Sequence, residues 1–175
     1  MLMKKFIEEL RAVGGEVVLC KTKEQLEERL LGVLQGLGKG KIMYYPHPAV
    51  LRVVERLEKE FKDELVDEKY PHPEEVLVGL TGADLAVAEL GSLVLAGEDP
   101  TLRKITSLPP VHVVILQENQ IVEKYEGVFE QFKSKLPEYL NFITGPSRTA
   151  DIERVLTIGV HGPGRLIVFI KEGEA

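Results

Sequence analysis

Ser147, Arg148 and Thr149 stand in a row behind Gly145-Pro146 and ahead of Asp151 and Glu153. Two hydroxyls, a guanidinium and the unpaired amides of a helix start are the equipment for holding an anion or a phosphate, because they join hydrogen-bond donors to positive charge and a dipole of matching sign. The plainer use of the same residues is capping, with Thr149 as N-cap and Asp151 and Glu153 as first-turn acids. Capping alone gives Arg148 nothing to do, which favours a site. A second turn follows, Gly159-Val-His-Gly-Pro-Gly164, whose Gly162 and Gly164 let backbone come close to a ligand. His161 in that turn is a proton carrier near neutral pH, or else a side chain that satisfies nearby backbone. Glu89, next to Gly91-Ser92, is a third candidate: a carboxylate at a glycine turn serves as nucleophile or general base, or is simply solvated or ion-paired.

Other chemistries find less support. His47 and His72 each sit between prolines, and neither has the helical i, i+3 or i, i+4 partner of a metal site. His112 interrupts an apolar strand and reads as a core or cross-strand histidine. No P-loop is present, no G-x-G-x-x-G opens a helix, and no G-x-S-x-G elbow occurs. The single cysteine, Cys20, rules out an internal disulfide and any all-cysteine cluster built from this chain alone, and it reads as a core residue at a strand end. A formal charge of −6 argues against nucleic acid as the main partner.

The elements that must position these groups follow from periodicity. Phe6, Ile7, Leu10 and Val13 make a helix of Met3 to Val13, closed by Gly14-Gly15. A strand at Glu16 to Cys20 follows, then a helix capped by Thr22 with Leu26, Leu30, Val33, Leu34 and Leu37 on one face. Lys41 to Tyr45 is a strand, Pro48 opens a helix to about Phe61, and a brief strand lies at 64–66. This alternation over residues 1–70 is the pattern of a largely parallel sheet covered on both faces. The charged, proline-containing stretch Asp67 to Glu75 separates it from a motif-bearing part, 76–175, without dividing the 175-residue chain into two domains. There, Thr81-Gly-Ala-Asp84 predicts the capped start of a short helix, Leu85 to Leu90. Ser92 to Gly97 and Val111 to Leu116 are predicted strands, their spacing suggesting mixed pairing, and Val122 to Leu136 a helix. The strand at Phe142-Ile143 then delivers the Ser147 turn to a helix beginning near Ala150. In open α/β sheets ligands sit at the carboxyl ends of strands, so the turn is expected there. Met1 to Val18 has no continuous apolar core of a signal peptide, and no run approaches a membrane span, so a cytoplasmic protein is expected.

Four blocks in order, Gly79 to Leu95 (GLTGADLAVAELGSLVL), Leu108 to Val113 (LPPVHV), Thr144 to Glu153 (TGPSRTADIE) and Val160 to Gly164 (VHGPG), resemble the signature blocks of the LUD domain, in particular its LutC (YkgG-like) lactate-utilisation members. The resemblance implies one LUD-type domain over 1–175 with a three-layer α/β/α mixed sheet, related to ribose-5-phosphate isomerase, glucosamine-6-phosphate deaminase and the CoA-transferases. It further implies a role in oxidising L-lactate to pyruvate beside iron–sulfur partner proteins, which would carry the clusters, with no cofactor identified in this chain. It adds Thr81, Gly82, Asp84, Gly91 and Ser92 to the ligand-binding candidates Gly145, Ser147, Arg148, Thr149, Asp151, Gly162 and Gly164, with Glu89 and His161 for proton handling. Where the family usually reads Ala-Glu-Thr-Gly, this chain has Leu90. Two alternatives stand beside the lactate reading: a non-catalytic metabolite-binding or regulatory module, and a sugar-phosphate or CoA-type enzyme of the same fold. A small carboxylate or phosphate is the expected ligand, and association with further copies of the chain is left open.

Overall fold

The computed structural model describes residues 1–148 and 162–173. Helix α1 (Leu2–Ala12) is amphipathic and buries Phe6, Ile7 and Leu10. It leads to strand β1 (Glu16–Cys20) and helix α2 (Lys23–Gly36), which Thr22 caps by accepting from the Gln25 amide at 3.2 Å. Strand β2 (Lys41–Tyr44) precedes helix α3 (Pro48–Glu60), whose first position is a proline that has no amide to leave unpaired. There the His47 ring caps the helix, Nδ1 accepting from the Ala49 amide. A two-residue strand β3 (Leu65–Val66) and a turn of 3₁₀ helix at Pro73–Glu75 close this part.

Six strands form an all-parallel sheet in the order β1-β10-β7-β4-β2-β3, where β4 is Val76–Gly82, β7 is Val111–Gln117 and β10 is Arg165–Lys171. The alternating side chains of β7 and β10 feed two cores. Val113, Ile115, Ile167 and Phe169 pack against α2 and α3 on one face. Val114, Leu116, Leu166, Val168 and Ile170 pack against α1, Leu102 and the strands of a second sheet on the other. Each such fully buried aliphatic or phenyl side chain contributes about 1.5–3 kcal/mol. Burial on both faces explains why these strands are continuous apolar runs.

The third layer departs from expectation. Helix α4 (Pro100–Ser107), capped by Asp99, and a four-stranded sheet, β8-β5-β6-β9, share it with α1. Mixed pairing is confined to this smaller sheet: β5 (Leu85–Val87) and β6 (Ser92–Gly97) are antiparallel, β9 (Tyr139–Ile143) is antiparallel to β6, and β8 (Ile121–Val122) is parallel to β5. Leu85 to Leu90 is therefore a strand and a turn, not a helix. The Thr81-x-x-Asp84 pattern mimics a capping box, but Thr81 continues β4 and Asp84 accepts from the Ala96 amide across the sheet at 2.7 Å. The predicted helix Val122 to Leu136 shrinks to α5 (Glu126–Phe132), because Ile121 and Val122 pair with β5 first. The helix expected near Ala150 lies outside the described residues.

Candidate functional site

The parallel register defines two edges. Glu16, Arg165, Val111 and Val78 mark the amino edge, and Cys20, Lys171, Gln117, Gly82 and Tyr44 the carboxyl edge. The described part of the Ser147 turn lies at the amino edge, opposite to the expected placement at strand carboxyl ends. β9 belongs to the small sheet and runs toward the end of α1, so its exit delivers Thr144–Arg148 beside Val13 and Gly14. Arg148 Nη2 donates to the Val13 carbonyl at 2.8 Å, the Ser147 amide to the Pro163 carbonyl at 2.8 Å, and the Gly164 amide to the Pro110 carbonyl at 2.9 Å. Three of the four sequence blocks are thereby stitched into one surface.

The first block reaches the same place through its second half. Ser92 Oγ and Thr144 Oγ1 are 2.6 Å apart, beside the pairing of Leu93 with Ile143. Gly91 and Gly145 both have positive φ, 60° and 76°, and both press on the last turns of α1, where a β-carbon on Gly91 would overlap the Leu10 backbone and one on Gly145 the Val13 carbonyl. Glycine is needed at both on two counts, the left-handed backbone and the close approach. Glu89 is in the turn just ahead: its Oε1 accepts from the Tyr125 amide at 2.8 Å, anchoring the start of α5. Leu90, at the position of the family threonine, is 43% exposed, so the hydroxyl it lacks is missing from the surface and not from a closed pocket.

Beside this surface, a cleft of about 490 Å³ is lined by Arg103, Thr106, Ser107, Tyr139, Leu140 and Asn141. Gly162 joins the two, its position touching Ser147 and facing the Ser107 carbonyl. Arg103 lies over the Tyr139 ring with its guanidinium carbon 4.4 Å from the centroid, and Asn141 donates to Thr106 Oγ1 at 3.1 Å. Arg103 brings one guanidinium to the cleft, beside Ser107, and Arg148 brings another to the amino edge, where Ser147 and the Ser92–Thr144 pair supply hydroxyls. Such a set pairs with carboxylate or phosphate oxygens. Sequence reading does not single out Arg103, although Asp99-Pro100 and the spacing of Leu102 and Ile105 announce the helix that carries it.

The other half of the first block is elsewhere. Thr81 is buried in the sheet and its Oγ1 is 2.9 Å from His112 Nε2. Burial pushes the His112 pKa down from 6.5 to about 3, which keeps the imidazole neutral, and its Nδ1 has no hydrogen-bond partner. Gly82 faces the His47 ring, and His47 Nε2 is 3.7 Å from Asp84 Oδ1. Thr81, Gly82 and Asp84 therefore belong to the sheet interior and carboxyl edge, apart from Ser147 and Arg148. Thr149, Asp151 and His161 lie outside the described residues. Cys20 is buried at the end of β1 and burial pushes its thiol pKa up, as suits a core residue. Among the described residues no group of three or more His, Cys, Asp or Glu stands together as a metal ligand set, and no helix is long and apolar enough to cross a membrane.

A family model of the LUD domain matches residues 3–170, and the chain belongs to that family. It is 31% identical over 160 residues to lactate utilization protein C of a Geobacillus species, covering 81% of this chain and 66% of that one. It is 35% identical over 105 residues to the protein of the same name from Halalkalibacterium halodurans, covering 57% of this chain and 46% of that one. For the Anoxybacillus flavithermus protein, also a lactate utilization protein C, the figures are 39% over 87 residues, 49% and 40%. The chain spans less than two thirds of the length of each of these relatives. A crystal structure of a DUF162 family protein from Deinococcus radiodurans superposes with a TM-score of 0.69 over 98% of this chain and 96% of that one, at 18% identity. That likeness carries the fold: a parallel sheet flanked by helices.

Proposed function

We propose that the chain is a LutC-like subunit in lactate utilisation, acting in the oxidation of L-lactate to pyruvate beside iron–sulfur partner proteins and holding a small anion at its amino edge. The lactate reading is supported by relatives named lactate utilization protein C. One observation carries the anion site: Ser92–Thr144 and Ser147–Pro163 close blocks far apart in sequence onto one edge that carries Arg148. In this reading Arg148 pairs with the anion, Ser147 and the Gly162–Gly164 backbone orient it, and Glu89 and His161 handle protons. The redox chemistry belongs to the partners' clusters, and this chain's own groups bind and position. Thr149 and Asp151 complete the binding set.

The test is reconstitution of the chain with iron–sulfur proteins encoded beside its gene, assayed for L-lactate-dependent reduction of an artificial electron acceptor. Dependence on this chain, weakened in Arg148→Ala, is the expected result. Full lactate oxidation without the chain would overturn the reading.

A further inference from the structure

At the carboxyl edge, opposite the family blocks, a cavity of about 160 Å³ lies between the first turns of α2 and α3 and the ends of β7 and β10. Leu26, Ala49 and Val53 give it apolar walls, Lys23, Arg52 and Lys171 bring three cations to it, and Gln117 lines it from the last position of β7. Four elements distant in sequence contribute, so no motif marks the cavity. Each cation has charge to offer. Arg52 forms no ion pair among the described residues. Among the described residues Lys171 Nζ donates only to the neighbouring Glu172 carbonyl, at 2.6 Å, and the exposed Glu24 carboxylate that feels its charge forms no ion pair with it. Lys23 lies 3.4 Å from Glu27 in an exposed pair, which is worth little. The α2 and α3 dipoles both point their positive ends at the cavity.

Gln117 supplies the second observation. Its side chain is buried and, although it faces the Gln120 amide across the 3₁₀ turn, its Oε1 completes no hydrogen bond. A carboxamide left unpaired at the end of a strand costs free energy that a ligand's hydroxyl or a polarised carbonyl would recover, because rotation about the soft terminal torsion presents either its oxygen or its nitrogen. The volume is room for roughly five water-sized groups at about 30 Å³ each, too little for a nucleotide or a sugar phosphate.

We propose that this cavity binds a small monocarboxylate bearing a second oxygen on a short aliphatic chain, a 2-hydroxy or 2-oxo acid, independently of the anion site at the amino edge. The carboxylate pairs with Arg52 and Lys171, the aliphatic carbons lie on Leu26, Ala49 and Val53, and the second oxygen meets the Gln117 amide. A cavity with apolar walls and a cationic rim selects such an acid over inorganic phosphate, which would bury its remaining charged oxygens against hydrocarbon.

The experiment is a methyl-detected NMR titration of the whole chain with pyruvate, L-lactate, butyrate and inorganic phosphate in turn. Pyruvate or L-lactate is expected to shift the methyl signals of Leu26, Ala49 and Val53 more strongly than butyrate, which lacks the second oxygen, and phosphate to leave them in place. Lys171→Met and Arg52→Ala should each weaken the binding about tenfold, and Gln117→Leu should abolish the preference over butyrate. Shifts confined to residues near Ser147 and Gly164 would overturn the proposal while supporting the amino-edge site. Phosphate competing as well as pyruvate would also overturn it, as would no methyl shift at saturating acid.

Discussion

The hydroxyls of Ser92 and Thr144 lie 2.6 Å apart and join two turns that share one support, the last turns of α1. Gly91 and Gly145 rest on Leu10 and Val13, so α1 holds both turns of the amino edge in place. A helix that sequence alone presents as a plain amphipathic cover is therefore the base of the site.

Alanine at Gly91 or Gly145 should destabilise the protein by more than the about 1–2 kcal/mol of a left-handed residue, since backbone overlap adds to it. Gly38 is the control. It has a φ of 94° but nothing within 4 Å of an added β-carbon. Urea unfolding of Gly38→Ala should show the conformational cost alone, and an equal cost at all three positions would refute the support role of α1.

His112 gives stability a pH dependence whose sign is set by its depressed pKa. Between the unfolded value near 6.5 and the folded value of about 3, the unfolded chain binds a proton that the folded chain refuses. Stability is complete above 6.5 and is lost as pH falls through that window, at up to about 1.4 kcal/mol per pH unit. Unfolding curves at several pH values between 4 and 7, compared with those of His112→Gln, isolate this slope. The same slope in both proteins would mean that His112 titrates normally.

Thr81→Val should cost about 1–3 kcal/mol, because it strips His112 Nε2 of its partner when Nδ1 already has none. Thr81→Ser, which keeps the hydroxyl, should recover most of that loss. Calorimetric melting of the two variants decides the matter.

Glu89 has two roles that one substitution separates. Glu89→Gln keeps an oxygen for the Tyr125 amide, so the melting temperature should hold while lactate-dependent turnover in the reconstituted system falls. Glu89→Ala should lose turnover and about 0.5–1.5 kcal/mol of stability as well. Full activity in Glu89→Gln would reduce Glu89 to an anchor for α5.

Arg148→Ala should weaken anion binding by about 1.5–3 kcal/mol, as expected for a charge-assisted pair. Arg148→Lys should restore only part of this, since an ammonium cannot hold the Val13 carbonyl and a ligand in one planar fork. Calorimetric titration with phosphate and with small carboxylates measures both, and equal affinity in all three proteins would remove Arg148 from the site.

Much of the first 70 residues is legible because local signals and tertiary packing agree: Thr22 and Pro48 mark helix starts where the helices begin, and Glu16 to Cys20 is a strand over those same residues. Leu85 to Leu90 misleads because Thr81 and Asp84 imitate a capping pair while their partners, His112 and Ala96, are remote in sequence. The residues of the Ser147 turn are visible in sequence, but the edge they occupy is not. That edge depends on β9 belonging to the small sheet, a pairing with β6 that no local pattern encodes. Arg103 and the Lys171 cavity are invisible for the same reason, since each is assembled from elements whose only relation is their place in the fold.

Strand β10 lies between β1 and β7, and among the described residues β1 pairs with no other strand. Glu16 meets Ile167 across most of the chain. During synthesis, β1 therefore emerges well before β10, and the backbone donors and acceptors on its inner side stay open until β10 slides in beside it. This order of events makes sheet closure a late step with a large loop-closure cost. It also exposes an unpaired apolar strand to neighbouring nascent chains, so the cell's folding helpers would meet this protein as an open-edged intermediate.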